Sequence, residues 1–394
     1  RQPVTTTPES EQLRRMALPS LVGGYVGKQF WGKPWIPYPF LLHAEQRIID
    51  AVRDKTRERF LIINAPPQTG KTSLVGTLVP FWLTGMFPDD NGMYISYSDD
   101  FSEARSKDVR ALQQTWGKEL FGTSIDPDHN KVSEWRILGH RGGLLAVGIG
   151  GLITGKPGDW IIIDDLIKND VEARSESAKK GHLAEWDGTI STRLQPGGTV
   201  IVIATRWAED DLSGALIARM QEPGYAGPQW EVISFPAFAE PSEEMEGELT
   251  PEELVTWRDI IGREFGEVLD CRFSRIPGRD PADFFNIVKA SRDPMKFASL
   301  YQQRPFSAEG SMFKRENWRY YNVDERPEME QVVRVWDLAG TEAGGDWTAG
   351  TKMGRANGKM WILDVQRFRH ASGTVLNKVI ETAGVDGYGC AILV

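Results

Sequence analysis

The segment from Ala65 to Thr72, which reads APPQTGKT, has the residue types that could hold the phosphates of a nucleoside triphosphate. It fits the pattern G-x-x-x-x-G-K-[ST] except at its first position, where alanine replaces glycine, and it lies between a predicted strand and a predicted helix. In such a loop the backbone N–H groups hold the phosphates, Lys71 brings a positive charge to them, and the Thr72 hydroxyl binds Mg²⁺. The predicted nucleotide-binding residues are Ala65, Pro66, Pro67, Gln68, Thr69, Gly70, Lys71, Thr72 and Ser73.

Two carboxylates follow the apolar run Trp160–Ile163, where a buried strand is predicted to end. Asp164 would hold Mg²⁺ through water, and Asp165 would activate the water that attacks the γ-phosphate. Glutamate is more usual at the second position, and aspartate is its shorter counterpart. Without the phosphate loop upstream, a solvated acid pair would be the favoured interpretation.

Three further residues are candidates for contacts with the nucleotide. Gln46 could read the adenine edge, because an amide both donates and accepts, or it could be an ordinary surface residue of a helix. Thr205 and Arg206, followed by Trp207, end the next predicted strand, where a polar side chain could sense the γ-phosphate. The alternative there is a strand end with a packing tryptophan.

An arginine is expected against the charge that develops on the γ-phosphate. The candidates are Arg105, Arg141, Arg193 and Arg206. Each could equally be a surface or ion-pair residue, and the sequence does not choose among them.

A second set of acids lies near the C-terminal end. Asp337 follows the apolar run Val332–Trp336, Asp346 comes nine residues later, and Asp364 lies near the end of a later predicted strand. Such acids could begin a two-metal site, which uses Mg²⁺ or Mn²⁺ held by several carboxylates. The alternative is a strand-end aspartate without a metal.

The elements that must position these residues are short apolar strands alternating with helices. This pattern is typical of a parallel sheet buried on both faces by helices, an α/β fold of the P-loop NTPase class (ASCE/RecA-like). Residues 1–40 are rich in Pro, Gly and Thr and predict an irregular arm, and residues 236–325 are acidic and mainly helical or irregular. From Val332 onward, strands joined by short turns predict an antiparallel meander and a separate domain.

Composition sets few limits on function. The chain has 394 residues, of which 40% are hydrophobic and 26% charged, and no run approaches the roughly 20 apolar residues of a membrane span. Residues 239–270 contain eleven acids and two arginines, which accounts for the whole net charge of −9, so bulk charge does not exclude nucleic acid. We favour a solvated surface for this stretch over a docking face. The two cysteines form no metal or disulfide pattern, which indicates a reducing compartment.

The chain resembles the large terminase subunit of tailed bacteriophages, the motor that packages DNA into procapsids. The resemblance runs from about Phe40 to the end of the chain, and IDDLIK, TRWAEDDL and YQQRP in this order would not be expected of a generic helicase. The matching segments are INAPPQTGKTS (63–73), AVGIGGLITGKPGDWIIIDDLIKN (146–169), STRLQPGGTVIVIATRWAEDDLSGALI (191–217), ASLYQQRPFSAEGSMFKRENW (298–318) and VRVWDLAGTEAGGDWTAG (333–350).

The resemblance implies a domain order and residue roles. After the arm at 1–40, it implies a P-loop ATPase domain at 41–235, a small lid subdomain at 236–325 and the first part of an RNase H-like nuclease domain at 326–394. It makes Asp164 the Walker B acid, Asp165 the catalytic acid and Asp337 the first nuclease acid, with Asp346 as a further contributor. Thr205-Arg206-Trp207 becomes the coupling motif.

The implied function is ATP-driven translocation of double-stranded DNA into a viral procapsid, coupled in the full-length protein to metal-dependent DNA cleavage. The alternative is a helicase or remodelling ATPase of the same core fold. The implied partners are double-stranded DNA, the portal protein, the small terminase subunit and further copies of the chain in a pentameric ring, but no membrane. The implied location is the host cytoplasm and, transiently, the portal vertex.

Two departures from the family qualify these expectations. Many terminases carry an arginine in the phosphate loop where this chain has Pro67, so the catalytic arginine is expected elsewhere in the subunit or in a neighbour. The chain stops where the second nuclease acid is expected, so we expect this polypeptide not to cut DNA by itself. Lys156, in the loop before the Walker B strand, is a candidate for contact with DNA.

Overall fold

The computed structural model describes residues 18–241, 249, 251–305, 319–322, 325–339, 347–368, 370 and 372–394. The chain divides into two compact units: Arg1–Met220 with Gly227–Ser311, and Gln221–Ala226 with Met312–Val394. Each unit is described below by itself. No helix in the described part of the chain is long and apolar enough to cross a membrane.

The first unit is built on an eight-stranded sheet with the order β3-β4-β5-β2-β6-β7-β1-β8. The strands from β5 to β8 in this order run parallel, and β3 and β4 extend the sheet as an antiparallel hairpin. The strand bounds are β1 Arg59–Asn64, β2 Asn91–Ser96, β3 Ile125–Asn130, β4 Glu134–Ile137, β5 Gly143–Gly148, β6 Gly158–Asp164, β7 Leu194–Ala204 and β8 Trp230–Ser234. The predicted parallel sheet is confirmed, whereas the β3–β4 hairpin and β8 were not predicted.

Successive residues of the central strands point to opposite faces, and both faces are covered by helices. Ile201 and Ile203 pack in one core with residues of the helices at 39–53 and 71–86. Val200 and Val202 pack in a second core with Leu212 and Leu216 of a helix on the other face. Because both faces are buried, these strands are continuous apolar runs and do not alternate with polar residues.

The helices of this unit begin at recognisable signals. Pro19 and Pro39 stand in the first turn of α1 and α2, where a missing N–H costs no hydrogen bond. The Ser98 and Ser175 side chains accept a backbone N–H at the start of α4 and α6. The bounds are α1 Pro19–Trp31, α2 Pro39–Arg53, α3 Lys71–Met86, α4 Asp99–Leu112, α5 Asp170–Ala173, α6 Glu176–Glu185 and α7 Leu212–Met220.

Several of these helices contain a turn of π-helix. In α3 it covers Leu74–Leu78, between Lys71–Ser73 and Val79–Met86. After α4, a π-turn at Gln113–Gly117 leads into Lys118–Phe121, and α6 continues as a π-turn at Trp186–Ile190. Each such turn accommodates one residue more than an α-helical turn.

The prediction of an irregular arm at residues 1–40 is wrong for α1, while residues 1–17 lie outside the described residues. Val22 and Val26 of α1 are fully buried in the first core. The Glu45 carboxylate of α2, itself 1% exposed, accepts the backbone N–H of Ser20 at 2.6 Å. The Gly and Pro content of this segment suggested irregular backbone, but its glycines allow close helix packing: a Cβ on Gly23 would lie 2.6 Å from Leu78.

The acidic segment after β8 contains short helices around an aromatic cluster. They are α8 Pro251–Thr256, α9 Asp283–Ser291 and α10 Pro294–Leu300. Phe285, fully buried, contacts Phe273, Phe284 and Tyr301 through edge-to-face rings. Residues 242–248 and 250 of the acidic stretch lie outside the described residues, so its predicted solvated surface stays a prediction.

The second unit is a four-stranded sheet with the order β11-β10-β9-β12. Strands β9 to β11 form the predicted antiparallel meander, and β12 returns parallel to β9 after helix α11. The turn at 356–358 has positive φ at Asn357 and Gly358, as a two-residue hairpin turn requires. The bounds are β9 Gln331–Asp337, β10 Thr348–Ala356, β11 Lys359–Phe368, α11 Ser372–Asp386 and β12 Cys390–Leu393.

The Glu45–Ser20 contact gives a test of how α1 is held. Burial raises the pKa of Glu45. A carboxyl whose pKa is higher in the folded state stabilises the protein below its unfolded pKa, and that stability is lost as pH rises through the folded pKa. Glu45→Gln keeps an acceptor without a charge, so it should be more stable than wild type near pH 8, by a margin that shrinks towards about pH 4.

Thermal and denaturant unfolding between these pH values measures the margin. Glu45→Ala leaves the Ser20 N–H unpaired and should be less stable than Glu45→Gln by about 1–3 kcal/mol. Glu209→Gln, at an exposed glutamate, is the control. Equal pH dependence of wild type and Glu45→Gln would contradict a buried charge at this position.

Candidate functional site

The phosphate loop connects β1 to α3 at the carboxyl edge of the parallel sheet. Gly70 has a φ of 104° and Gln68 a φ of 59°, so the loop uses left-handed backbone twice. The Thr69 hydroxyl donates to the Pro66 carbonyl at 2.8 Å and braces the turn between them. Helix α3 begins at Lys71, which presents the N-terminus of a helix to the loop. This is the strand–loop–helix arrangement that the motif requires.

A cleft of about 610 Å³ lies over the loop. Its floor consists of residues 67–73 and Asp165, and one wall is the segment between α1 and α2, including Trp31, Trp35 and Tyr38. Arg272 lines it from the segment after β8. Polar floor, aromatic wall and a guanidinium group give the cleft the chemistry of a nucleotide site.

Asp164 ends β6 and is completely buried. The Tyr94 hydroxyl of β2 donates to its Oδ2 at 2.5 Å, and the Thr72 hydroxyl lies 3.4 Å from its Oδ1. Burial and the negative charge of Asp165 raise the pKa of Asp164 to about 7. Tyr94 was not identified from the sequence, because a tyrosine inside an apolar strand is usually a core residue.

Asp165, Lys71 and Thr205 form one connected group. The Lys71 ammonium lies 3.1 Å from Asp165 Oδ2 and donates to the Thr205 hydroxyl. The Thr205 backbone N–H donates to Asp165 Oδ1 at 2.7 Å. Asp165 has a φ of 40°, a left-handed conformation that is uncommon outside glycine and that these contacts hold. The structure therefore brings together the three residues that the sequence analysis took from separate motifs.

The residues present fit a magnesium ion. The Thr72 hydroxyl and the Asp164 carboxylate are adjacent oxygen donors, the kind that Mg²⁺ binds together with phosphate oxygens and water. Asp164 has no ion-pair partner among the described residues, and burial disfavours its charged form, which a divalent cation would stabilise.

The strand end at Thr205-Arg206-Trp207 is joined to α10. The Ser299 hydroxyl lies within hydrogen-bond distance of the backbone carbonyls of Arg206 and Trp207, at 3.1 Å and 3.0 Å. The Gln303 side chain accepts the Arg206 N–H at 3.2 Å. These bonds connect the residues after Thr205 to α10 and to the turn that follows it.

The Arg206 guanidinium is committed to a local ion pair. Its Nε lies 3.0 Å from both carboxylate oxygens of Asp211, and its Nη2 donates to the carbonyls of Ala208 and Glu209. Gly214 makes room for this group, because a Cβ there would lie 1.7 Å from the Glu209 carbonyl oxygen. Arg206 therefore shapes the loop after β7 and does not reach the phosphate loop.

The other candidate arginines also lie away from the cleft. Arg105 of α4 pairs with Asp108 at 3.1 Å and lies over the Phe101 ring. Arg141 is exposed before β5, and Arg193 precedes β7, at strand ends opposite the phosphate loop. None of the four predicted arginines lines the cleft as the structure describes it. The arginine that does so, Arg272, lacked a sequence signal because it belongs to an acidic segment without a phosphate-binding motif.

Gln46 and Lys156 have partners that the sequence analysis did not anticipate. Gln46 is exposed on α2, donates to Asp50 at 2.8 Å and is not among the described residues that line the cleft. Lys156 pairs with Glu134 at 2.7 Å, so its contact with DNA stays a prediction.

The second acid set is not assembled in the described part of the chain. Asp337 is exposed at the end of β9, where it pairs with Ala349 of β10. Asp364 of β11 pairs with Lys352, three residues further along β10, and accepts a hydrogen bond from Arg334 at 2.6 Å. Asp346 lies outside the described residues. No cluster of three or more His, Cys, Asp or Glu side chains that could hold a metal occurs among the described residues. Asp364 is therefore a structural ion-pair residue here, and the described residues around Asp337 do not form a metal site.

Residues 62–319, more than half of the chain, match the family described as terminase large subunit, T4likevirus-type, N-terminal. No curated protein matches.

Several solved structures are similar to the chain. The HK97 bacteriophage large terminase is 16% identical with a TM-score of 0.41, over 86% of this chain and 64% of that protein. The large terminase of a thermophilic bacteriophage in complex with ADP is 10% identical with a TM-score of 0.34, over 86% of this chain and 73% of that one. A mutant ATPase domain of the Thermus phage P74-26 large terminase is 11% identical with a TM-score of 0.38, over 71% and 97%. The chain thus spans less than two thirds of the HK97 protein.

The buried Asp164 gives a pH-dependent test in metal-free buffer. Its pKa in the folded state, about 7, lies above the ordinary value of 3.8, so folded protein holds a proton that unfolded protein releases between these values. Stability should therefore fall as pH rises from about 4 to 7. Asp164→Asn cannot ionise and should be the more stable protein near pH 8, by more than about 1 kcal/mol, with little difference near pH 4.

Denaturant unfolding in EDTA across this pH range measures the difference. Asp128→Asn, at an exposed aspartate, is the matched control and should follow wild type. A constant difference between wild type and Asp164→Asn at all pH values would show that Asp164 is not protonated in the folded protein.

Proposed function

The chain belongs to the terminase large subunit family, and on that premise we propose that it is an ATPase that drives double-stranded DNA into a viral procapsid. The observation that carries the proposal is the group formed by Lys71, Asp165 and Thr205 at the phosphate loop. It contains a phosphate-binding cation, a carboxylate able to act as general base and a strand-end residue that touches both.

In this structure the Lys71 ammonium group pairs with the Asp165 carboxylate and neutralises its charge. A triphosphate in the loop competes with Asp165 for the Lys71 ammonium group. When this ammonium group moves to the phosphates, the Asp165 carboxylate is free to accept a proton from the water that attacks the γ-phosphate. Thr205 keeps Asp165 oriented through its backbone N–H during this exchange. Thr72 and Asp164 would hold Mg²⁺, which supplies positive charge to the phosphate oxygens.

Hydrolysis is coupled to movement through the end of β7. The Thr205 hydroxyl accepts a hydrogen bond from Lys71, so exchange of the Lys71 partner changes the contacts of Thr205. Arg206 and Trp207, the next residues, are bonded to Ser299 and Gln303 at α10. We infer that α10 and the turn after it respond to the state of the nucleotide.

The remaining assignments rest on the family. We propose an ATPase domain that extends from α1 to residue 235, a lid subdomain at 236–325 and a third domain at 326–394. The meander, helix and parallel strand from β9 to β12 support an RNase H-like nuclease domain beginning at 326, with Asp337 as its first acid. Cleavage with Mg²⁺ or Mn²⁺ is proposed for the full-length protein. The proposed partners are double-stranded DNA, the portal protein, the small terminase subunit and copies of this chain in a pentameric ring, in the host cytoplasm and at the portal vertex.

Substitution of the loop lysine and the proposed base tests the ATPase. Lys71→Ala and Asp165→Asn should lower the rate of phosphate release by at least about 100-fold, since each removes a group that acts in the transition state. Phosphate release is measured with and without portal protein and double-stranded DNA. Lys180→Ala, at an exposed lysine, is the matched control. Full activity of both variants would refute the proposed ATPase.

The response to partners separates a packaging motor from a helicase. The wild-type protein should have weak basal activity that rises with portal protein or assembly. Stimulation by single strands, together with strand separation in a gel assay, would favour the helicase alternative.

A further inference from the structure

The phosphate loop has a shortage of positive charge. Residues 65–73 contain one cation, Lys71, and Lys71 is partly neutralised by Asp165. A triphosphate carries more negative charge than Lys71 and one magnesium ion balance. A further cation at the phosphates would therefore strengthen triphosphate binding.

Arg272 is in the position to do so. It follows the buried Cys271 and lines the cleft beside the phosphate loop. Its Nη2 donates to the side-chain oxygen of Gln68 at 2.8 Å, and Gln68 belongs to the loop that would cradle the phosphates. This contact joins residues 204 positions apart in the chain, so the segment after β8 reaches the loop directly.

The guanidinium group is held by a stack of aromatic rings. It lies 4.5 Å from the centre of the Phe273 ring, and Phe273 stacks on Phe284 with ring centres 3.9 Å apart and an angle of 5°. Phe284 contacts the fully buried Phe285. Such a stack restricts an otherwise exposed arginine to the side of the cleft and lowers the entropy lost when it binds a ligand.

The other described cations near the cleft are less well placed. Lys33 also lines it, but no hydrogen bond or ion pair of the described residues joins Lys33 to the loop, and the four arginines predicted from the sequence do not line it. Arg275 lies over the Tyr38 ring and is paired with Asp270 through both oxygens. Gln68, the present partner of Arg272, is neutral, so a phosphate oxygen would be the stronger acceptor.

We propose, on the basis of the proposed ATPase function, that Arg272 binds the terminal phosphate of the triphosphate and supplies a second positive charge that the loop itself lacks. On binding, the guanidinium exchanges Gln68 for the γ-phosphate oxygens. Because this contact requires a third phosphate, Arg272 favours triphosphate over diphosphate.

The test compares two nucleotides by direct binding. Affinities for Mg·ATPγS and Mg·ADP are measured by calorimetry for wild type, Arg272→Ala, Arg272→Lys, Gln68→Ala and Lys71→Ala. Arg272→Ala should weaken ATPγS binding roughly ten- to 100-fold and ADP binding by less than about threefold, because a charge-assisted bond to the γ-phosphate is lost. Arg272→Lys should recover part of the loss, since it restores the charge without the two-pronged guanidinium.

Gln68→Ala separates phosphate binding from loop bracing. It should change the affinities for the two nucleotides by the same factor, and a selective loss of ATPγS equal to that of Arg272→Ala would show that Arg272 only positions Gln68. Arg279→Ala, at an exposed arginine of the same segment, is the matched control. Circular dichroism confirms that each variant is folded.

The two levels of the proposal fail in different ways. If Lys71→Ala loses both nucleotides while Arg272→Ala binds ATPγS as wild type does, the role of Arg272 is refuted and the ATPase stands. If neither wild type nor Lys71→Ala shows a heat of binding with either nucleotide above that of buffer alone, the proposed function itself is refuted.

Discussion

The position of β7 between β6 and β1 is the constraint on which the nucleotide site depends. Parallel strands end at one edge of the sheet, so this order places Thr205 between the acid at the end of β6 and the loop after β1. Thr205 uses its backbone N–H for Asp165 and its hydroxyl for Lys71. An additional strand between β6 and β1 would move the base and the lysine apart by a further strand spacing, which is about 4.8 Å.

The turn after α10 depends on the same strand end. The Gln302 side chain accepts the backbone N–H of Phe238 at 2.9 Å and donates to its carbonyl at 3.1 Å. Gln303, which has a φ of 59°, accepts the backbone N–H of Arg206. Two consecutive glutamines thus bind two different strand extensions, one after β8 and one after β7. This explains in physical terms why a Tyr-Gln-Gln-Arg segment follows α10: the amides satisfy backbone groups beyond the last sheet pairs, where no further strand is available.

Sequence reasoning succeeded where the deciding information is local. The apolar runs at β1, β6 and β7, the loop at Lys71 and the acid pair at Asp164 are each contained in about ten residues or fewer, and the topology of parallel strands brings them to one edge. It failed for α1, whose buried valines and glycines are stabilised by contacts with α2 and α3. It also missed Tyr94 and Arg272, which make hydrogen bonds to residues 70 and 204 positions away in the chain.

The π-turn in α3 has a consequence for how the chain can vary. The helix is fixed at one end by the phosphate loop at Lys71 and at the other by Phe81 and Trp82, both fully buried. Because the π-turn already holds one residue more than an α-helical turn, removing one residue from Leu74–Leu78 would restore a regular helix and leave the two ends facing nearly as before. Removing a second residue would rotate one end by about 100° relative to the other, so either the aromatic pair would leave the core or the lysine would leave the loop. In homologous chains this stretch should therefore accept the loss of one residue but not of two.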